Sequence, residues 1–287
     1  PIKNSIYIMQ TNPDYLNKNF EFPSPAKINL FLHIIGRREN GYHNLETLFQ
    51  FLNYGDTITL KVTENGTLNL LTPIKGVSSE DNLIIKAATL LQTSCNCRFG
   101  VDISINKILP MGGGLGGGSS NAATILLALN TLWQCHLSND DLAKLGLSLG
   151  ADVPVFIHGF SAFAQGVGEQ LTPATPEESW YLISKPNCSI STQAVFTHSD
   201  LKRNTEKLST TLSSSNHELT NFAHDLLCPP YHNDCQDLVI NNYSEVAKLL
   251  AWLVEYAPSR MTGTGACIFS RFSSYDEAYA LQKKLPL

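Results

Sequence analysis

One stretch of the chain carries most of its information: Pro110-Met-Gly-Gly-Gly-Leu-Gly-Gly-Gly-Ser-Ser120, in which six of the seven residues from Gly112 to Gly118 are glycine. Packing does not require so much glycine, because each one loses backbone entropy on folding and contributes no side chain. Glycine does let backbone N–H groups approach an anion closely. We therefore predict that this stretch, called the glycine loop below, binds phosphate.

The residues after the glycine loop support the same interpretation. The segment Asn121-Ala-Ala-Thr-Ile-Leu-Leu-Ala-Leu-Asn130 is mostly apolar and predicts a buried helix that ends near Trp133. The first N–H groups of a helix have no intrahelical partner, and that end carries a partial positive charge. A glycine loop that leads into a helix is thus typical of a phosphate-binding site rather than of a hinge or a tight turn.

Two familiar nucleotide-binding patterns match the glycine loop only in part. Gly112-x-Gly114-x-x-Gly117 has the dinucleotide spacing. That pattern also needs a second strand about 20 residues further on that ends in an acid, and the sequence predicts a helix there. The Walker pattern needs a lysine after its last glycine, where this chain has Ser119. A dinucleotide-binding oxidoreductase is therefore a weaker alternative. A thermal-shift assay would test it, because NAD should stabilise an oxidoreductase, whereas ATP and CDP should stabilise a protein that binds those nucleotides.

Composition narrows the class of protein further. The length of 287 residues predicts about two domains, and the net charge of −5 argues against a nucleic-acid partner. No apolar run approaches the about 20 residues that span a bilayer, so we expect no membrane association. The seven cysteines indicate a reducing compartment, and we expect the cytoplasm. His224, Cys228, His232 and Cys235 could supply four zinc ligands, but their spacing differs from that of paired zinc knuckles.

Local patterns predict strands and helices that alternate without a regular βαβ repeat, which favours an α+β fold. The predicted strands cover residues 26–34, 57–62, 68–71, 101–105, 153–157, 161–165, 180–184 and 266–269. The predicted helices cover residues 81–91, 121–133, 138–150, 246–256 and 275–284. The loop composition of residues 172–179 predicts a domain boundary there, and the Ser/Thr-rich residues 209–215 predict a mobile loop.

Three segments together resemble the signature motifs of the GHMP kinases. They are Pro25-Ala-Lys-Ile-Asn-Leu30, the glycine loop with its helix, and Thr262-Gly-Thr-Gly-Ala-Cys267. Further segments resemble the branch of that family that acts on a cytidine-diphosphate-linked methylerythritol. These are Gly36-Arg-Arg-Glu-Asn-Gly-Tyr-His43, Leu48-Phe-Gln50, Gly55-Asp56, Gly150-Ala-Asp-Val-Pro154, Gly166-x-Gly168-Glu169 and Tyr256-Ala-Pro-Ser-Arg260.

The resemblance implies a two-domain α+β GHMP kinase fold. A polar N-terminal extension covers residues 1–20, a ribosomal-S5-like ATP-side domain residues 21–171, and a ferredoxin-like C-terminal domain residues 172–287. The family usually has a final strand after the last helix, whereas this sequence continues only from Lys284 to Leu287 after that helix. We therefore expect the sheet of the smaller domain to be weakened, with no loss of motif residues.

The resemblance also implies the reaction, which is transfer of the γ-phosphoryl group of ATP to the 2-hydroxyl of the cytidine-diphosphate-linked methylerythritol. This step belongs to the non-mevalonate route to isoprenoids, and Mg²⁺ is expected because ATP kinases use it to bridge phosphate oxygens. Asp152 takes the position of the catalytic base. By the same resemblance, Lys27 is expected to pair with Asp152 and to polarise the hydroxyl.

Binding roles follow from the same resemblance. The ATP-binding residues are Asn82 and Lys107 near adenine, and Pro110, Met111, Gly112, Gly113, Gly114, Leu115, Gly116, Gly117, Gly118, Ser119 and Ser120 around the triphosphate. The substrate-binding residues are Asn29, Tyr42, His43, Thr192, Phe196, Gly263 and Gly265. Ser119 is a candidate metal ligand, and no acidic ligand can be assigned. We expect a monomer or weak homodimer with small-molecule partners.

Two further alternatives differ in function. The first is another GHMP kinase, of the homoserine or mevalonate type, against which Tyr42-His43 and Gly150-Ala-Asp-Val-Pro154 argue. The second is a non-catalytic ligand sensor on the same fold. A sensor would have lost the base or the lysine, and this chain keeps both Asp152 and Lys27.

Overall fold

The computed structural model describes residues 13–78, 80–208, 211–212, 219–221 and 225–286. Its helices are α1 (Leu83–Ser94), α2 (Gly117–Leu132), α3 (Asn139–Leu147), α4 (Val153–His158), α5 (Thr192–Thr197), α6 (Gln236–Asn242), α7 (Ser244–Val254) and α8 (Tyr275–Gln282). Its strands are β1 (Asn19–Arg37), β2 (His43–Thr63), β3 (Leu68–Leu70), β4 (Gly100–Asn106), β5 (Ala162–Gln165), β6 (Gln170–Pro173), β7 (Trp180–Ser184), β8 (Thr211–Leu212), β9 (Leu219–Asn221), β10 (Ser259–Met261) and β11 (Ile268–Phe272). The predicted α+β class is confirmed.

Local signals predicted several elements well. Asn82 caps α1, because its side chain accepts a hydrogen bond from the Ile84 N–H at 2.9 Å. Ser138 caps α3 in the same way, at 3.1 Å from the Asp141 nitrogen. In β4 the alternating Val101, Ile103 and Ile105 are all buried, as the two-residue period of a half-buried strand requires.

Residues 153–157 are helical, so the predicted strand is wrong. They form α4, in which Pro154 lies in the first turn and Gly159 ends the helix in the left-handed conformation at φ 72°. The residues from Val153 to Ile157 are all buried. An apolar run that is buried on every side carries no periodicity, and periodicity was the signal that separates a helix from a strand.

The predicted end of the preceding helix also differs from the structure. Helix α3 ends at Leu147 rather than at Gly150. Beyond it the chain tightens into three-residue hydrogen bonds, from Ser148 N to Leu145 O and from Leu149 N to Gly146 O.

The sequence patterns did not predict several short elements or the first half of β2. The missed elements are β6, α5, α6, β8, β9 and β10. Within the predicted mobile loop at 209–215, Thr211–Leu212 forms β8, which pairs antiparallel with β9. The rest of that loop lies outside the described residues.

The chain divides into two compact units, neither of which is continuous in sequence. The first comprises residues 1–25, 54–108 and 117–159. In it, the second half of β2 pairs antiparallel with β4, and β3 pairs parallel with β4. Leu16 forms a bridge to Val62, so part of the predicted N-terminal extension joins this unit. Helices α3 and α4 pack closely at Gly146, which has no side chain: a Cβ there would lie 2.5 Å from a Val153 methyl carbon.

The second unit comprises residues 26–53, 109–116 and 160–287. The first half of β2 pairs antiparallel with β5, which pairs with β6. A separate antiparallel sheet has the order β10-β11-β7. One buried cluster surrounds β1 and includes Ile28, Leu115 and Phe269, and another gathers the apolar faces of α6 and α7.

The predicted division at residue 172 stays a prediction. The units differ from a simple succession along the chain because the long strands β1 and β2 run through both. Among the described residues, none of the helices is both long and apolar enough to cross a membrane.

Candidate active site

Lys27 lies in the middle of β1 and is 3% exposed. Its Nζ donates to the Asn29 Oδ1 at 2.7 Å and to the Gly114 carbonyl oxygen at 3.2 Å. The same nitrogen lies 5.2 Å from the centroid of the Phe49 ring. A lysine this deeply buried needs polar partners. The hydrogen bonds to Asn29 and Gly114 hold its ammonium group beside the glycine loop.

The predicted substrate contact Asn29 is tied to protein groups on both sides of its amide. Its Nδ2 donates to the Thr47 Oγ1 at 2.8 Å, and its Oδ1 faces Lys27. Its backbone N–H donates to the Thr262 Oγ1 at 2.9 Å. The arrangement orients the Oδ1 atom toward the lysine. Thr47 and Thr262 were missed as site residues, although Thr262 opens the third motif.

Within the second unit, the glycine loop is bound to the third motif by backbone hydrogen bonds. Ala266 N donates to the Gly112 oxygen at 3.1 Å, and Cys267 N donates to the Gly113 oxygen at 3.2 Å. Gly112, Gly114 and Gly116 have positive φ angles of 62°, 74° and 71°. Left-handed residues that alternate with right-handed ones turn successive N–H groups into a concave anion-binding nest. Glycine is the residue that adopts these positive φ angles at least cost, and binding of phosphate by the loop stays a prediction.

Two glycines of the loop are required by close approach as well as by conformation. A Cβ on Gly113 would lie 2.7 Å from the Cys267 sulfur. A Cβ on Gly114 would overlap the carbonyl oxygen of Thr262. Packing against the third motif therefore accounts for two of the six glycines in the loop.

We expect Gly114→Ala to lower the free energy of unfolding by about 2–4 kcal/mol, because left-handed strain and steric overlap add. The Michaelis constant for ATP should rise as the loop shifts. Gly159→Ala is the matched control, since Gly159 has φ 72° and open space around it, and it should cost only the strain of about 1–2 kcal/mol. Thermal denaturation of both variants measures the difference. Equal losses would show that the overlap is relieved without cost.

The remainder of the glycine loop belongs to the first unit, where it starts α2. The Ser119 Oγ lies 3.6 Å from the position that a Cβ on Gly150 would take. Asp152 follows two residues later, at the N-cap position of α4, and its side chain makes no capping hydrogen bond. The unpaired N–H groups at the start of α2 and the segment that carries the predicted base are therefore neighbours within one unit.

A buried carboxylate organises the first unit around the start of α2. Asp56 is 1% exposed and accepts hydrogen bonds from the Lys107 Nζ at 2.6 Å and from the Asn121 Nδ2 at 2.9 Å. The Asn121 Nδ2 also donates to the Ser24 Oγ at 2.8 Å. Asp56 and Asn121 were missed, although Gly55-Asp56 is one of the motifs that the resemblance rests on.

The two residues predicted to lie near adenine both have partners in the protein. Lys107 is paired with Asp56, and Asn82 is buried and caps α1. Both lie in the first unit with the start of α2. A direct contact of either side chain with adenine stays a prediction.

The predicted cytidine-side residues lie in the second unit and differ in exposure. Tyr42 is 61% exposed, whereas His43 is 6% exposed. The His43 ring stacks on Phe196 with centroids 5.2 Å apart and an interplanar angle of 26°. Burial lowers the pKa of His43, and the positive charges of Arg203 and Arg37 lower that pKa further. His43 is therefore neutral near neutral pH.

Arg203 donates hydrogen bonds to both members of this ring pair, and the sequence patterns did not point to this arginine. Its Nε donates to the His43 Nε2 at 2.9 Å. Its two terminal nitrogens donate to backbone carbonyl oxygens of Ser199, Leu201, Phe196 and His198. The local sequence offered no signal, because Arg203 is 160 residues from His43.

The third motif brings three more predicted residues together. Gly263 and Gly265 have φ angles of 56° and 89°. The Thr192 Oγ1 at the start of α5 lies 3.0 Å from the Thr264 Oγ1. Asn233 fixes the turn from the other side, because its Nδ2 donates to the carbonyl oxygens of Met261 and Gly263.

The suggested zinc ligands are not assembled into a site in the described part of the chain. No group of three or more His, Cys, Asp or Glu side chains there could hold a metal ion. His232 is paired with Asp234 at 2.8 Å, and Cys235 is buried. His224 lies outside the described residues.

Family comparisons agree with the motifs. The family model for the N-terminal domain of GHMP kinases matches residues 82–160, and the model for the C-terminal domain matches residues 211–286. A protein of Colwellia psychrerythraea named 4-diphosphocytidyl-2-C-methyl-D-erythritol kinase is 67% identical over 95% of this chain and 88% of its own length. A protein of the same name from Aliivibrio fischeri strain MJ11 is 55% identical over 94% of this chain and 90% of its own length.

Solved structures lead to the same family. A crystal structure of 4-(cytidine 5'-diphospho)-2C-methyl-D-erythritol kinase is 30% identical, with a TM-score of 0.76, and the match covers 93% of this chain and 95% of the other. The mevalonate kinase of Methanococcus jannaschii has a TM-score of 0.60 at 15% identity over 95% of this chain and 96% of its own, which shows the shared fold alone. The chain is therefore a small-molecule kinase that belongs to the 4-diphosphocytidyl-2-C-methyl-D-erythritol kinase family of the GHMP kinases.

Proposed function

We propose that this kinase transfers the γ-phosphoryl group of ATP to the 2-hydroxyl of 4-diphosphocytidyl-2-C-methyl-D-erythritol, giving the 2-phosphate and ADP. The step serves the non-mevalonate route to isoprenoid precursors. The names of relatives at 55–67% identity over most of the chain support this substrate. A homoserine or mevalonate kinase activity is not favoured, because those likenesses are 15% identical and concern only the fold.

The observation that carries the proposal is the placement of Ser119 and Asp152 in the first unit. The helix N-terminus that follows the glycine loop offers N–H donors to phosphate oxygens. Ser119 lies in that first turn and beside Gly150, two residues before Asp152. A phosphoryl donor held at this helix start would thus lie near a carboxylate able to serve its acceptor.

Phosphoryl transfer depends on positioning and charge stabilisation more than on covalent chemistry of the protein. Asp152 accepts the proton of the 2-hydroxyl as its oxygen attacks the γ-phosphorus. The bond from that phosphorus to the bridging oxygen of ADP breaks, and ADP leaves with the bond's electron pair. The ammonium of Lys27 stabilises the developing negative charge, and Asn29 orients that ammonium.

The glycine loop supplies backbone N–H donors to the triphosphate. We propose that Mg²⁺ accompanies ATP, with phosphate oxygens and water as most of its ligands and the Ser119 hydroxyl as a protein ligand. This fits the described residues, which hold no ready-made cluster of metal-binding side chains. The ion would neutralise charge on the phosphates.

The cytidine side of the substrate is assigned to the second unit. Phe196 and Tyr42 offer aromatic faces for base stacking, and His43 offers a ring nitrogen for a hydrogen bond. Thr192, Gly263 and Gly265 lie around the third motif and complete the proposed substrate surface. A cytoplasmic location and a monomeric or weakly dimeric state are further proposals, of which the first is supported by seven free cysteines.

The test is ATP-dependent ADP release with 4-diphosphocytidyl-2-C-methyl-D-erythritol, with mevalonate and homoserine as controls. We expect release with the cytidine-linked alcohol alone. Release with either control instead would overturn the substrate and keep the kinase fold. Binding of ATP without release in any case would favour the sensor alternative.

A further inference from the structure

Arg203 donates a hydrogen bond to Nε2, one of the two ring nitrogens of His43. The distance from the Arg203 Nε to the His43 Nε2 is 2.9 Å. A guanidinium group has five N–H donors and no acceptor, and it stays charged in proteins. The His43 Nε2 must therefore be the unprotonated nitrogen of the ring.

This hydrogen bond determines which nitrogen of His43 carries the proton. A neutral imidazole has one N–H group, so the proton lies on Nδ1 when Nε2 accepts. Among the described residues, no hydrogen-bond partner lies at Nδ1, and this atom is not among the fully buried unsatisfied ones. The Nδ1–H group is thus a donor left over for a ligand.

The same guanidinium fixes the backbone that presents Phe196. One terminal nitrogen donates to the carbonyl oxygens of Phe196 and His198, at 3.1 and 2.6 Å, and the other donates to Leu201 at 2.9 Å. The Phe196 ring in turn stacks on His43. One arginine thus controls both the protonation of the histidine and the position of its aromatic neighbour.

We propose that Arg203 is a positioning residue for substrate recognition: it keeps His43 as the neutral Nδ1–H tautomer, which donates a hydrogen bond to an acceptor atom on the cytidine side of the substrate. This inference rests on the proposed function and deepens it, since the same site gains a defined donor. Arg203 acts through His43 and does not itself touch the reacting atoms.

The charges around His43 support a neutral ring. Arg203 faces it from the segment after α5, and Arg37 faces it from the end of β1. The neighbouring Arg38 is engaged with Asn44 and lies 4.0 Å from Glu169. The two facing cations and burial all oppose protonation of His43, so its pKa lies below the ordinary value.

The central experiment compares Arg203→Met with Arg203→Lys. Met keeps the apolar stem and removes every donor, whereas Lys keeps the charge and N–H donors on a single nitrogen. At about pH 8 we expect Arg203→Met to raise the KM for the cytidine-linked substrate about 10- to 30-fold, the usual effect of losing a charge-assisted hydrogen bond. The kcat and the KM for ATP should change less than about twofold. Arg203→Lys should recover part of the loss, and the exposed Arg98→Met serves as control.

The pH dependence of KM separates this role from a purely structural one. Without Arg203, the proton of a neutral His43 is free to move to Nε2, and the Nδ1 donor is lost for part of the time. Protonation restores it, because an imidazolium carries a hydrogen on both nitrogens. The ratio of the Arg203→Met KM to the wild-type KM should therefore shrink as the pH falls and His43 of the variant becomes protonated. A ratio that stays constant down to a pH at which ring NMR shows His43 of the variant protonated would overturn the proposal.

A double-mutant cycle tests whether the effect passes through His43. In a His43→Ala background, Arg203→Met should raise KM much less than in the wild-type background, because only its hydrogen bonds to backbone carbonyl groups are then lost. An increase as large as in the wild-type background would show that Arg203 acts only through the carbonyl groups of residues 196–201, and would overturn the proposal.

Nitrogen-15 NMR of the histidine rings gives a readout that needs no substrate. We expect the proton on Nδ1 of His43 in the wild-type protein, and a mixture of tautomers in Arg203→Met. A proton on Nε2 in the wild-type protein would overturn the inference. If the kinase assay instead shows no use of the cytidine-linked alcohol while the Nδ1–H tautomer is observed, the proposed function fails and the role of Arg203 toward His43 stands.

Discussion

Asp152→Asn is expected to reduce kcat by about 10³-fold while ATP binds with nearly unchanged affinity. Asparagine has the same shape but cannot accept the proton of the attacking hydroxyl, and general-base catalysis contributes about 10²–10⁴-fold. The side chain makes no capping hydrogen bond in α4, so the exchange should not unwind that helix. The measurements are steady-state kcat and a nucleotide titration monitored by calorimetry.

The control for Asp152→Asn is Asp140→Asn, in the first turn of α3. Asp140 is exposed and acidic at a helix N-terminus, so its loss should cost at most about 1 kcal/mol of stability and leave kcat unchanged. If Asp152→Asn retained wild-type turnover, the carboxylate would not be the base. A parallel loss of ATP affinity would instead assign it to the metal or the nucleotide.

Lys27→Met should lower kcat about 10²–10³-fold, because removing one pre-organised charge that stabilises the transition state usually costs this much. Lys27 is 3% exposed and donates to Asn29 and Gly114. Methionine fills a similar volume in the strand but removes the lysine donor, and the single hydroxyl hydrogen of Thr262, 3.5 Å and 3.3 Å from the two oxygens, can serve only one of them. We therefore also expect the free energy of unfolding to fall by about 1–3 kcal/mol.

Two comparisons separate catalysis from stability for Lys27. Assays below the lowered melting temperature keep the variant folded, and a kcat that stays low there reflects the missing charge. Lys86→Met removes a lysine whose side chain is 45% exposed, and it should leave both kcat and stability nearly unchanged. Recovery of wild-type kcat in folded Lys27→Met would assign this lysine to structure alone.

The class of the fold and the motif residues could be predicted from the sequence, because they depend on local signals. The glycine loop stands out by its composition, which the structure accounts for by left-handed φ angles at Gly112, Gly114 and Gly116 and by packing of Gly113 and Gly114 against the third motif. The caps at Asn82 and Ser138 lie within three residues of the N–H groups they satisfy. Such interactions join residues that are close in sequence, so they can be predicted without knowledge of the tertiary fold.

The short apolar segments were where local reasoning failed. Residues 153–158 form a helix although they are rich in residues that favour strands, because their burial on all sides is decided by neighbours distant in sequence. The composition of the two units was equally hidden. β1 and β2 pass through both, so residues 26–53 belong with residues 160–287 and not with the segments next to them.

By itself, the sequence determined the family, the reaction class and the residues that chemistry needs: a glycine loop, a lysine in a strand and an aspartate before a helix. Only the tertiary structure decided what holds them. It pairs Lys107 with Asp56, Asn29 with Thr47 and His43 with Arg203, across separations of 18 to 160 residues. A buried polar group must find a partner, but the sequence does not specify which of many candidates the fold will bring within 3 Å.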